Sequence, residues 1–151
     1  MPIHPSFPLS RNDFDDIYGR VPRLCVEVVI RDPSGVLLVR RDIDPCRGQW
    51  HLPGGTVLFG ESLPAAVVRV AERELGVIVT VGDLLGYIEY PHVQAAGYRG
   101  WPVGIAFAAF IVGGRLVGSD EGRLTGYFNE IPADTIGEQA AFLHDRVLQP
   151  S

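Results

Sequence analysis

The sequence contains no lysine, so all 13 of its basic residues are arginine. Any anion site must therefore use guanidinium forks or backbone N–H groups, and planar forks suit bidentate phosphate contacts. Cysteine is scarce: Cys25 and Cys46 are too few and too isolated for a disulfide scaffold or a metal cluster. No apolar run approaches the roughly 20 residues that cross a bilayer, which excludes a helical membrane protein. Met1-Pro2-Ile3-His4-Pro5 has neither a basic start nor an apolar stretch, so no secretory signal is expected and a cytoplasmic location is. Positive charge is also lacking overall, with a net charge of -5. That balance argues against a nucleic-acid partner bound through phosphate neutralisation. What remains is a chain of 151 residues, 46% hydrophobic, enough for one domain over 1–151 with a real core.

Local signals divide that domain. Ser10 caps a short acidic helix through Tyr18, closed by Gly19 and Pro22. Leu24 to Ile30 reads as a buried strand in which Cys25 is core. Asp32-Pro33-Ser34-Gly35 turns it into a second strand, Val36 to Arg40. A loop from Asp42 to Leu52 carries Trp50 and His51, and Pro53-Gly54-Gly55 makes a bend. Ser62 then caps a helix from Leu63 to Leu75 that Gly76 stops. Val77 to Val81 and Leu84 to Tyr90 suggest a strand interrupted near Gly82. Val103 to Val112 predicts a long strand, turned by Gly113-Gly114 into Arg115-Leu116-Val117. Thr125 to Phe128 adds a short strand, and Pro132 to Leu148 a closing helix. The fold class is α+β, a mixed sheet with helices packed on it.

The stretch that carries chemistry runs from Gly54 to Val77, GGTVLFGESLPAAVVRVAERELGV. A glycine loop here feeds a helix that carries arginines and glutamates. With Gly55, Glu61, Arg69, Ala71, Glu74, Gly76 and Val77 at the right spacing, it resembles the Nudix box. The resemblance implies a mixed sheet sandwiched between helices and a hydrolase that uses a divalent cation. It also implies that the Gly55 carbonyl and Glu74 ligate that cation, that the substrate is a small nucleotide, and it allows a homodimer. Val70 and Arg73 stand where the family has glutamates.

Helical geometry shows what those two replacements cost. At about 100° per residue, Arg69, Val70, Arg73 and Glu74 share one side, and Val68, Ala71 and Leu75 form the core side. Glu72 projects roughly 200° from Glu74, so it is no substitute ligand. One helix carboxylate survives, suited to a single Mg²⁺ or Mn²⁺ per chain that keeps its waters. This pattern of loss resembles the GDP-mannose mannosyl hydrolase branch, which holds one ion and breaks the sugar carbon–oxygen bond. That branch's histidine base and adjacent glutamine align with Arg123 and Gly122. Its leaving-group tyrosine aligns with Val103, and its arginine after the double glycine with Thr56.

Individual residues keep two readings each. Glu61 and Arg69 form a brace between loop and helix, with Arg69 orienting Glu74, or belong to the catalytic set. Glu121 is loop charge, or a base or additional metal ligand. Arg41 is surface charge, or a phosphate contact. Arg123 is a further candidate for substrate binding, and Trp101 and Tyr98 stack on a base or simply pack. His51 reads as local packing beside Trp50. The function expected is hydrolysis of a nucleoside diphosphate linked to another group, a nucleotide sugar above all. The alternative is a catalytically weak or inactive nucleotide sensor of the same fold.

Overall fold

Two serine caps start helices where the sequence expects them. Ser10 Oγ accepts from Asp13 N at 3.1 Å, opening α1 (Arg11–Tyr18). Ser62 Oγ accepts from Ala65 N at 3.2 Å, opening α2 (Leu63–Leu75). Gly76, at φ 73°, adopts the left-handed conformation that ends α2, a place where a side chain is strained. The computed structural model describes residues 8–43, 46–118, 122 and 124–148.

Seven strands form one sheet among the described residues. They are β1 (Arg23–Asp32), β2 (Gly35–Arg40), β3 (Trp50–His51), β4 (Gly54–Thr56), β5 (Val77–Glu89), β6 (Pro102–Gly114) and β7 (Thr125–Phe128). The order is β3-β2-β1-β6-β5, with β4 paired to β1 and β7 to β2. The central β1–β6 pair is parallel, from Arg23↔Pro102 to Ile30↔Ala109, and its neighbours are antiparallel. Two more helices, α3 (Pro91–Ala95) and α4 (Gly137–Arg146), complete the α+β architecture.

Side-chain alternation along β1 separates two cores. Val26, Val28 and Ile30 pack with Val67, Val70, Ala71 and Leu75 of α2. Val29 faces the other way, joining Leu52, Ile88, Ala106 and Leu143 of α4. The sheet thus lies between α2 and α4. No helix among the described residues is long and apolar enough to cross a membrane.

Several elements differ from the sequence reading. β5 runs unbroken from Val77 to Glu89 because β6 pairs on both sides of Gly82, the slip appearing as an irregularity between Val81 and Leu84. Gly113 and Gly114 do not turn the chain but extend β6, pairing with Ile78 and Val77. Arg115 to Val117 form no returning strand. Arg115 N donates to Gly76 O (3.1 Å) and Val117 N to Leu75 O (2.7 Å), sealing the end of α2. The closing helix starts only at Gly137, because Asp134 O and Ile136 N bond Trp50 in the manner of an added strand. α3 is too short to show periodicity. On α2, Val70 turns into the core at 2% exposure, whereas Val68 is only partly buried.

Candidate functional site

The glycine loop is tied to α2 by one arginine. Arg69 Nε and Nη2 donate to the two oxygens of Glu61 at 2.8 and 2.9 Å, and Nη2 also donates to the Thr56 carbonyl at 2.7 Å. Glu61 in turn accepts from Leu58 N at 3.0 Å. The guanidinium, above all, and the Leu58 N–H hold the Glu61 carboxyl below its ordinary pKa against a smaller effect of burial. Such a bidentate pair positions as well as stabilises. Arg69 therefore spends its fork on the loop.

The rest of the helix face divides sharply. Glu74 is buried at 6% exposure, while Glu72 and Arg73 are exposed. Val70 lies against Gly55, so close that a Cβ added to Gly55 would come within 3.0 Å of Val70 Cγ2. A methyl group therefore occupies the ground beside the loop glycine. Among the described residues no cluster of three histidine, cysteine or acidic side chains could hold a metal ion. A single helix carboxylate suits one hard cation completed by water better than a cluster. Glu121 and Arg123 lie outside the described residues.

Behind the glycine loop, on the sheet face opposite α2, stands a buried polar group that sequence reasoning passed over. Glu27 of β1 is 6% exposed. Tyr90 donates its hydroxyl to Glu27 Oε1 at 2.8 Å, Gln139 Nε2 donates to the Tyr90 oxygen at 2.9 Å, and Leu52 N donates to Gln139 Oε1 at 2.6 Å. Glycine is required on both flanks: a Cβ at Gly54 or Gly104 would run into the Glu27 carboxyl. Burial pushes the Glu27 pKa up to about 7, against the opposing pull of Tyr90, Arg23 and Arg41. The signal for it was one acid in the otherwise apolar run Leu-Cys-Val-Glu-Val-Val-Ile.

Arg41 is half-buried just beyond β2, and its charge bears on both Glu27 and His51. His51 is buried with Nδ1 2.6 Å from the Leu52 carbonyl, and burial lowers its pKa to about 4. It is neutral near pH 7. Trp101 is 47% exposed, and its carbonyl accepts from Arg23 N at 2.9 Å. Tyr98 reaches the same arginine, its hydroxyl 3.1 Å from Arg23 Nη2. The structure thus joins Glu61 and Arg69 across the loop and α2, sets Glu74 among the buried residues of α2, and places Tyr98 and Trp101 near the start of β1.

The family model of the NUDIX domain matches residues 21–134. The chain belongs to the Nudix family. This Nudix domain is 43% identical over 86 residues to the low-salt glycan biosynthesis protein Agl8 of Haloferax volcanii, a match covering 57% of the chain and 55% of that protein. The matched stretch is thus little more than half the length of that relative. It is 32% identical over 130 residues to an ADP-ribose pyrophosphatase of Methanocaldococcus jannaschii, covering 85% of the chain and 72% of that protein. Among solved structures, the MutT Nudix hydrolase of Burkholderia pseudomallei superposes with a TM-score of 0.72 at 26% identity. That superposition covers 84% of this chain and 98% of the other.

Proposed function

We propose that this Nudix domain is a cytoplasmic hydrolase of nucleoside diphosphates linked to another group, acting on a nucleotide sugar. The observation that carries the reading is the pairing of buried Glu74 with Val70 against Gly55, which leaves one carboxylate on the buried face of α2. Glu74 and the Gly55 carbonyl would hold one Mg²⁺ or Mn²⁺, whose contribution is to neutralise charge on the diphosphate. Arg69, locked to Glu61 and to Thr56 O, keeps loop and helix in register and would thereby orient Glu74. Arg41 would contact phosphate, and Glu121 would serve as base or additional ligand, with Arg123 and Trp101 on the substrate side. The similarity to a glycan biosynthesis protein and to an ADP-ribose pyrophosphatase supports a diphosphate carrying a sugar.

The two missing helix carboxylates favour a second reading, a nucleotide sensor that binds without turnover. One experiment separates the two: a panel of nucleotide sugars and dinucleotides with Mg²⁺ and Mn²⁺ in ¹⁸O-water. Label in phosphate means attack at phosphorus, and label in the sugar means attack at carbon. Binding with no turnover of any compound overturns the hydrolase in favour of the sensor.

A further inference from the structure

Arg23, the first residue of β1, carries a cation into the protein without a direct ion pair; the buried Glu27 carboxyl further along the strand acts on it only at longer range. Its guanidinium donates through Nη1 to Thr56 Oγ1 (2.8 Å) and Cys25 Sγ (3.1 Å), and through Nη2 to the Tyr98 hydroxyl (3.1 Å). All three partners are neutral groups. Burial pushes the Cys25 thiol up to about 11, so it stays protonated. No carboxylate among the described residues forms an ion pair with Arg23, and its Nε–H is buried without an acceptor. The Phe14 ring of α1 lies 5.4 Å from the guanidinium carbon, covering one face and fixing the plane of the fork. A buried charge and a buried orphan donor both cost free energy unless a partner arrives.

The place of this fork matters as much as its deficit. Thr56 directly follows Gly55; its hydroxyl takes Arg23 while its carbonyl takes Arg69. Arg69 spends Nε and Nη2 on Glu61 and Thr56 O, so most of its fork is committed to bracing the loop. Arg23 reaches the loop from the neighbouring strand, where Cys25 pairs with Thr56, and it still has a spare N–H on Nη2 besides the orphaned Nε–H.

We propose that Arg23 is an anion receptor of this site, its guanidinium binding phosphate oxygens of the substrate's diphosphate. The inference deepens the reading as a diphosphate hydrolase and rests on it. Thr56 and Tyr98 hold the fork in place before substrate arrives, and the incoming phosphate supplies an anion in direct contact with it.

The test is calorimetric binding of inorganic pyrophosphate and of GDP to the full chain, with and without Mg²⁺, alongside urea unfolding of each variant. Arg23→Met should weaken both ligands about ten- to a hundredfold, the worth of one or two charged hydrogen bonds, while guanosine binding stays unchanged. Arg23→Lys should recover only part, because a point charge replaces a fork. Because Arg23 stands on Thr56, an arginine at position 56 can place its guanidinium in the same space. The double variant Arg23→Met/Thr56→Arg should therefore regain most of the pyrophosphate affinity. The inference is overturned if the wild-type chain binds neither pyrophosphate nor GDP. It is also overturned if affinity in the folded Arg23→Met protein is unchanged, if guanosine weakens equally, or if the folded double variant shows no recovery. Hydrolysis that survives Arg23→Met with unchanged KM would sink the receptor and spare the hydrolase. Pyrophosphate binding that needs Arg23, with no turnover of any panel compound, would do the reverse.

Discussion

The two faces of the central sheet handle charge in opposite ways. On the α2 face, the loop charge is paired and kept near solvent: Arg69 and Glu61 clasp each other, and Glu74 is the one acid on the otherwise apolar buried side of the helix. On the α4 face, charge is buried with neutral company: Glu27 meets a tyrosine hydroxyl, and Arg23 meets a threonine, a thiol and a tyrosine. The first arrangement makes a stiff platform that gains from its own ion pair. The second holds groups whose charges are costly in the empty fold, which is how sites for charged ligands are built.

The largest expected effect falls on the platform. Glu74→Gln should lower metal-dependent turnover at least about a hundredfold with the fold intact, since metal charge stabilisation contributes several kcal/mol. Glu72→Gln, on the exposed side, is the control. Equal losses in the two variants would show that Glu74 is not the ligand and would move attention to Glu121. Next comes pH on the opposite face. A carboxyl whose folded pKa is raised to about 7 from 4.5 binds a proton more tightly when folded. Its stabilising effect is full below the unfolded pKa and is lost as pH rises through 7, a loss of up to about 3 kcal/mol. Glu27→Gln keeps an acceptor for Tyr90 and should flatten urea stability between pH 5 and 8. A profile as steep as that of the wild type would assign the pH dependence elsewhere.

Metal stoichiometry sharpens the contrast further. With Val70 packed on Gly55, manganese titration should count one weakly held ion per chain at the helix, and two tight ions would contradict the donor set. The smallest effect is Ser62→Ala, which removes the α2 cap and should cost about 1 kcal/mol in chemical denaturation. Turnover per folded molecule should not change.

The same contrast explains what was legible in the chain. Ser62, Gly76 and the spacing between them specify α2 to the residue, because caps and stops act locally. The box glycines, Glu61 and Arg69 sit at intervals set by one loop and one helix. A helical wheel sets Val70 beside Arg69 because it gives angles but not neighbours, and the neighbour of Val70 is a glycine on β4. Glu27, Tyr90 and Gln139 come from three elements far apart in sequence, as do Arg23, Thr56 and Tyr98. Nothing in the chain around any one of them announces the others. The sealing of α2 by Arg115 and Val117 was hidden for the same reason.

The parallel pairing of β1 with β6 also governs when the protein can work. Every residue of the glycine loop and of α2 lies between those two strands in the chain, and the loop is anchored on β1 through β4 and the bonds that flank it. Closing the β1–β6 pair means bridging most of the domain, a slow, entropically expensive contact. During synthesis, β1, β2 and α2 leave the ribosome well before β6 can dock. Until then β1 has β4 on one side of Glu27 and no strand on the other. Ligand-binding competence should therefore emerge in one late step with β6, not build up gradually as the box is made.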